Sequence, residues 1–256
     1  MNGVHGKLYL VPNTLDFGAA GAVPALDEVL PLGVIRTAAG LAHWVAENAK
    51  TTRAFLKRVD AVVPLARALQ SIEIVEMPRP QKGGAGKGEG GERSALLAPA
   101  LQGHDIGLIS EAGLPGVADP GAAVVDAAHA LGVAVVPLPG ASSLLLALAA
   151  SGHNGQSFAF VGYLPTDAAA RAVRIRELET LSRRHAQTQL VIETPYRNAV
   201  LLAALLEHLQ GTTRLSVSCG LTWAGGNTRS ESVAAWRARP ATLPADVPAV
   251  FSIFGG

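Results

Sequence analysis

The chain has 256 residues, of which 49% are hydrophobic and 16% charged, and its formal net charge is +1. That length and apolar content allow one large domain or two ordinary ones with ample core. The near-neutral balance excludes the overall basic coat of a typical nucleic-acid binder and leaves room only for a local basic patch.

In chain order, Lys7–Val11 (KLYLV) is a short apolar run closed by Pro12 and Asn13, and it predicts a strand and turn. Residues 25–30 predict a short helix before Pro31, and Val34–Ala39 (VIRTAA) predicts another strand. Residues 44–59 place apolar side chains at helical spacing with charges between them, the pattern of an amphipathic helix. IEIVEM (72–77) predicts a strand. Residues 79–93, RPQKGGAGKGEGGER, have no core face and predict a mobile surface loop. SALLAPALQG (94–103) predicts a helix leading into the strand DIGLIS (105–110). This alternation describes an α/β layer with a largely parallel sheet.

After the turn PLPG (137–140) the pattern resumes. It predicts a helix over 142–150, a strand in SFAFVGYLP (157–165), and a long charged helix over 167–185 with Asp167 as its cap. The strand QLVIETP (189–195) and a helix over 197–211 closed by Gly211 follow. Strands in RLSVSCGLT, a polar stretch and VPAVFSIFG complete a mixed sheet. The boundary falls near the PLPG turn, giving domains 1–138 and 139–256.

One cysteine, Cys219, excludes an intrachain disulfide and a multi-cysteine metal site. In its apolar run it reads as a buried thiol. The seven histidines form no H-x-x-x-H pair or His/acid cluster, so no metal site is expected. The N-terminus shows no secretory pattern and no apolar run is long enough to span a bilayer, so the expected compartment is the cytoplasm, with no membrane contact.

Chemistry concentrates beyond the carboxyl ends of strands, where open α/β sheets bind ligands. SEAGLPGVADPG (110–121) combines two acids, Glu111 and Asp119, with glycines that permit tight turns and prolines that stiffen the loop. Glu111 directly follows a buried strand and reads as site lining. Asp119 either caps a helix starting at Pro120 or contacts a ligand. KGGAGKGEGG lacks the spacing and the strand–helix setting of a phosphate loop. Ser142 and Ser143 follow P-G-A rather than forming a G-x-S-x-G hydrolase elbow. The arginines of 171–184 read as a solvated face.

These residues also carry a resemblance. SEAGLPGVADPG followed by VVPLPGASS (135–143) is similar to the S-D-A-G-x-P-x-x-x-D-P-G and P-L-P-G-x-S/A signature of the tetrapyrrole methylase superfamily. KLYLVPNTL, ENAKTTRAFL (47–56), FAFVGYLP (158–165) and VIETPYR (191–197) resemble further segments of the branch that methylates a ribose hydroxyl of small-subunit ribosomal RNA. The resemblance implies two α/β domains, a homodimer, and S-adenosylmethionine in a cleft between the domains. The implied cofactor contacts are Pro12; Ser110, Glu111, Ala112, Gly113 and Asp119; Ser142 and Ser143; and Thr194 and Pro195. It implies an RNA substrate; methylation of a tetrapyrrole or another small molecule, and cofactor binding without catalysis, are the alternatives. Glu47, Lys50 and Glu193 are the candidates for the catalytic or substrate side. Glu47 and Lys50 sit three apart on one helix face and could instead pair with each other, and Glu193 has a structural reading as well.

The chain departs from the pattern at several points. Glu111 stands for the signature aspartate, Asn48 and Lys50 for the Asp and Arg of E-D-T-R, and Tyr196 for the histidine of P-H-R. Residues 13–16 (NTLD) replace the usual Gly-Asn loop, and the glycine-rich run replaces an H-N-E segment.

Overall fold

The computed structural model describes residues 5–16, 24–78 and 94–255, so the predicted loop over 79–93 lies outside the described residues. The chain divides into two compact units, Met1–Ala141 and Ser142–Gly256.

The first unit is built on five parallel strands: β1 (Lys7–Leu10), β2 (His43–Ala46), β3 (Glu73–Glu76), β4 (Ile106–Ile109) and β5 (Ala134–Pro137), in the order β3-β2-β4-β1-β5. β4 is buried along its whole length, as a central parallel strand covered on both faces must be. Period-two alternation sends its side chains into two cores. Ile109 joins Trp44, Phe55, Leu56 and Ile35 on one face. Ile106 and Leu108 join Leu8, Val45, Val124 and Ala128 on the other. The helices are α1 (Leu26–Val29), α2 (Leu32–Gly40), α3 (Ala49–Val62), α4 (Ala98–Leu101) and α5 (Ala122–Ala130). They supply the outer layers of an α/β/α sandwich. Each fully buried large side chain contributes about 1.5–3 kcal/mol.

The structure departs from several of these expectations. Val34–Ala39 is not a strand but lies in α2, with Pro31 at its N-cap and Val34, Ile35, Ala38 and Ala39 buried on one stripe. Packing of that stripe overrides the β-propensity of its branched residues. Residues 44–59 are not one helix. The first three belong to β2, in which Trp44, Val45 and Ala46 are all buried. α3 starts only after Asn48, whose side chain accepts the Lys50 and Thr51 amides at 2.9 and 3.3 Å. Asp119 does not cap a helix. α5 begins at Ala122, with Gly121 (φ 130°) at the N-cap and no side-chain cap bond.

The second unit is a five-stranded mixed sheet of β6 (Phe158–Gly162), β7 (Thr188–Glu193), β8 (Arg214–Cys219), β9 (Asn227–Ser232) and β10 (Ala249–Phe254), in the order β6-β7-β10-β8-β9. Only β6 and β7 run parallel; the other neighbours are antiparallel. The helices α7 (Ala168–His185) and α8 (Asn198–His208) pack Ile175, Leu178, Leu201 and Leu205 onto Val191, Val217 and Phe251. The opposite face receives Leu144, Ala147 and Leu148 of α6 (Ser143–Ser151) against Leu190 and Val250. A last helix, α9 (Val233–Ala238), buries Trp236, whose Nε1 donates to the Leu215 carbonyl at 2.9 Å.

Asp167 caps α7 by accepting the Ala170 amide at 2.8 Å. α8, by contrast, is not closed by Gly211: Leu209 ends it in extended conformation. Cys219 is buried, and burial raises its thiol pKa. The arginines of α7 divide in use. Arg174 pairs with Glu177 at the surface, while buried Arg171 donates to the carbonyls of Pro165 and Thr166.

Candidate active site

Adjacency of β2, β4 and β1 in the first sheet brings three loops together at their carboxyl ends. The loop after β1 contains Pro12, Asn13 and Thr14; the one after β4 contains Ser110 to Gly113; Glu47 directly follows β2. Asn13 joins the first two. Its amide donates to the Gly113 carbonyl at 2.8 Å, and the Gly113 amide returns to the Thr14 carbonyl at 3.4 Å. Its buried side chain donates from Nδ2 to the carbonyls of Ser110 (3.1 Å) and Glu111 (3.0 Å), while Oδ1 accepts the Thr14 amide at 2.9 Å. Gly113 meets this geometry at φ 67°, a conformation costly for residues with a side chain.

Pro12 abuts the PLPG turn. A Cβ added at Gly140 would stand 2.3 Å from the Pro12 Cβ, so the approach is possible only because Gly140 has none. The loop after β1 is fixed by Arg58 of α3. Its Nη1 donates to Thr14 Oγ1 (3.1 Å) and Asp16 Oδ2 (3.0 Å), and Nη2 donates to the Pro24 carbonyl (3.2 Å). The NTLD sequence thus secures this loop through side chains.

Three carboxylates influence one another at this end of the sheet. Glu47 Oε2 accepts the Glu111 amide at 3.0 Å, tying the end of β2 to the loop after β4. Asp119 lies close enough to Glu47 and Glu111 to be influenced by both charges. Burial first, then the negative charges of Glu47 and Glu111, push its pKa up to about 7 from 3.8. The residue before it, Ala118, is held at φ 64°. A non-glycine residue in this region carries stored strain of the kind found at ligand-binding sites.

The structure brings the predicted residues of the first unit together: the segments holding Pro12, Ser110, Glu111, Ala112, Gly113 and Asp119 lie at one end of the sheet, with Glu47 tied to the Glu111 amide. Glu47 and Lys50 do not form the surface pair that their spacing allows. Glu47 holds a backbone amide, and no ion pair engages Lys50 among the described residues. Asn13, Asp16 and Arg58 were not predicted as site residues. Arg58 had no sequence signal, because its partners lie 34 to 44 positions away.

In the second unit, Ser142 is buried at the N-cap of α6 with no side-chain cap bond, and Ser143 is the first helical residue. Glu193 ends β7. Its buried carboxylate binds Arg197 Nη2 at 2.8 Å and accepts the Thr194 amide at 2.8 Å. With both oxygens engaged, Glu193 is a clamp that shapes the short 3-10 turn Pro195–Arg197, and Thr194 and Pro195 start that turn. No group of three or more metal-ligating side chains occurs among the described residues. No described helix is long and apolar enough to cross a membrane.

The model of the family described as Tetrapyrrole (Corrin/Porphyrin) Methylases matches residues 49–235. The chain belongs to the tetrapyrrole methylase family. The match spans α3, the β4 loop with its carboxylates, and most of the second unit. Curated relatives include two proteins named ribosomal RNA small subunit methyltransferase I. That of Mesorhizobium japonicum is 39% identical over 133 residues, covering 52% of this chain and 44% of that protein. That of Pseudomonas aeruginosa is 32% identical over 200 residues, covering 77% and 63%. The chain spans about half the length of the curated relatives it matches. Among solved structures, a uroporphyrin-III C-methyltransferase from Thermus thermophilus covers 98% of this tetrapyrrole methylase and 94% of its own chain, with 21% identity and a TM-score of 0.52. A putative cobalamin synthesis related protein from Corynebacterium diphtheriae covers 98% and 99%, with 16% identity and a TM-score of 0.58. At such identities these two structures speak for the fold.

Proposed function

We propose that this tetrapyrrole methylase is an S-adenosylmethionine-dependent methyltransferase whose acceptor is a ribose 2'-hydroxyl of ribosomal RNA. The observation that carries the reading is the meeting of a backbone-lined cradle with an acid whose proton is exchangeable near neutrality. The cradle is Pro12, Ser110–Gly113 and the close approach at Gly140, which suits a cofactor gripped by main-chain groups. The names of the curated relatives support the RNA half of the reading.

S-adenosylmethionine supplies a methyl group made electrophilic by a sulfonium. Transfer to a ribose hydroxyl would demand of the protein mainly that it align the two groups. Asn13 and Arg58 hold the loops rigid, and Glu47 fixes the Glu111 amide. The acceptor must also lose its proton. We assign that proton to Asp119, whose pKa of about 7 suits a group that takes it up and releases it at working pH. Ser142, Ser143, Thr194 and Pro195 remain our proposed contacts from the second unit. A homodimer in the cytoplasm belongs to the same reading.

The deciding experiment incubates the purified protein with radiolabelled S-adenosylmethionine and small ribosomal subunits lacking the modification. Label in a ribose of the small-subunit RNA is expected. Label only in an added tetrapyrrole, or none despite measurable cofactor binding, would overturn the acceptor assignment. Asp119→Asn should lower the methylation rate by about 10²–10⁴-fold while leaving cofactor affinity within a few-fold.

A further inference from the structure

Helix α3 carries four cations, and the fold uses one of them. Arg58 turns inward to Thr14, Asp16 and Pro24. Lys50, Arg53 and Lys57 are exposed, and no ion pair engages any of them among the described residues. Elsewhere Arg174 is neutralised by Glu177, Arg183 by Glu179, Arg197 by Glu193, and Arg229 and Arg239 by Glu231, while the exposed Lys7, Arg36, Arg67 and Arg184 show no ion pair among the described residues but do not share one helix face.

The spacing 50, 53, 57 places the three on one helix face. At 1.5 Å per residue the row is about 10 Å long. It begins three residues after Glu47, so it runs outward from the candidate site. Three acids lie near its ends, and each is engaged with backbone: Glu47 accepts the Glu111 amide at 3.0 Å. Glu76 accepts the Ala49 amide at 2.7 Å, and Asp60 accepts the Leu65 amide at 2.9 Å. Three cations kept unpaired in a row, on a chain with a net charge of only +1, are a local feature and not part of a general basic coat.

We infer that Lys50, Arg53 and Lys57 form a phosphate track that holds the backbone of a single RNA strand as one of its riboses enters the site. This rests on the RNA reading above and adds the surface that grips the strand. Lysine at position 50 and lysine at 57 act as point charges, and only Arg53 can grip one phosphate through two N–H groups. Such contacts position the strand without reading its sequence. Each phosphate neutralised on a single strand contributes about 0.7 to the steepness of the salt dependence of binding.

The test measures binding of a fluorescein-labelled, mixed-sequence, single-stranded oligoribonucleotide by anisotropy across a salt series. Wild type, Arg53→Gln/Lys57→Gln and Arg53→Lys/Lys57→Arg are compared, with Arg184→Gln on α7 as a control for loss of any exposed cation. S-adenosylmethionine affinity by calorimetry and thermal unfolding report on folding. The double Gln variant is expected to lose about 1.4 from the slope of log affinity against log salt, while the charge-preserving variant and Arg184→Gln keep the wild-type slope. RNA bound by wild type and by the double Gln variant with the same slope would overturn the track and leave the RNA reading standing. No RNA binding by wild type that retains cofactor affinity would overturn both.

Discussion

Replacing Asp119 by Asn removes a carboxyl group that burial first, and two neighbouring acids second, make costly to ionise. In the folded protein the Asp119 pKa is pushed up to about 7 from 3.8, by burial first and by Glu47 and Glu111 second. Between these values the folded state keeps a proton that the unfolded state has released. Unfolding then releases a proton, so stability falls as pH rises from about 4 to about 7, and the loss is complete above that. A displacement of this size corresponds to about 4 kcal/mol at 1.36 kcal/mol per tenfold change in proton affinity. Asp119 is only partly buried, and water screens its neighbours, so about 1–2 kcal/mol is the expected effect. Asn preserves the shape and cannot ionise. Urea unfolding from about pH 5 to about pH 8 should show Asp119→Asn gaining on wild type as pH rises, with near equality at the acid end and an advantage of about 1–2 kcal/mol at the alkaline end. A difference between the two proteins that does not change with pH would refute the clustering of charge described here.

Other predictions concern packing and the second unit. His153 is the opposite electrostatic case: burial and Arg214 lower its pKa to about 4 from 6.5, its ring stacks on Phe254 at 5.7 Å, and its Nδ1 has no hydrogen-bond partner. Its folded state refuses a proton that the unfolded state accepts, so stability should fall as pH drops from about 6.5 to about 4, and His153→Phe should flatten that slope in acid urea titrations. Asn13→Ala would orphan the Ser110 and Glu111 carbonyls. A loss of about 1–3 kcal/mol in urea unfolding is expected, with weakened S-adenosylmethionine binding by calorimetry, and unchanged binding would dissociate Asn13 from the site. Gly140→Ala sets a methyl 2.3 Å from the Pro12 Cβ. It should cost about 1–3 kcal/mol and shift backbone chemical shifts at 11–13, and a variant as stable as wild type would show that this turn has slack.

Most strands of the two sheets, though not β2, were legible because their signals are local. An apolar run between turn residues marks β4 as well as it marks β10. The failures have a common origin in tertiary packing. VIRTAA has branched residues suited to a strand, yet its buried stripe has helical spacing once α3 lies beside it. HWVA merges smoothly into the periodicity of α3, and only the Asn48 cap separates them. In the site, the glycine–proline loop after β4 was visible in the residue types. The staple through Asn13 and the brace from Arg58 were not, because each joins segments far apart in sequence and uses side chains with no distinctive spacing.

The same contacts explain why the departures from the family pattern are compatible with a formed site. Glu111 enters the network through its backbone: its amide goes to Glu47 and its carbonyl to Asn13, so lengthening the signature aspartate by one methylene leaves those bonds intact. What the longer side chain still provides is negative charge, which contributes to raising Asp119. Asn48 in place of aspartate keeps the cap on α3, since amide and carboxylate oxygens accept the same two N–H groups. It also withdraws one negative charge from beside Lys50. On this argument Asn48→Asp should leave α3 intact and weaken RNA binding by returning an acid to the head of the Lys50–Arg53–Lys57 row. Equal RNA affinity of the two proteins across the salt series would show that the head of α3 lies off the path of the strand.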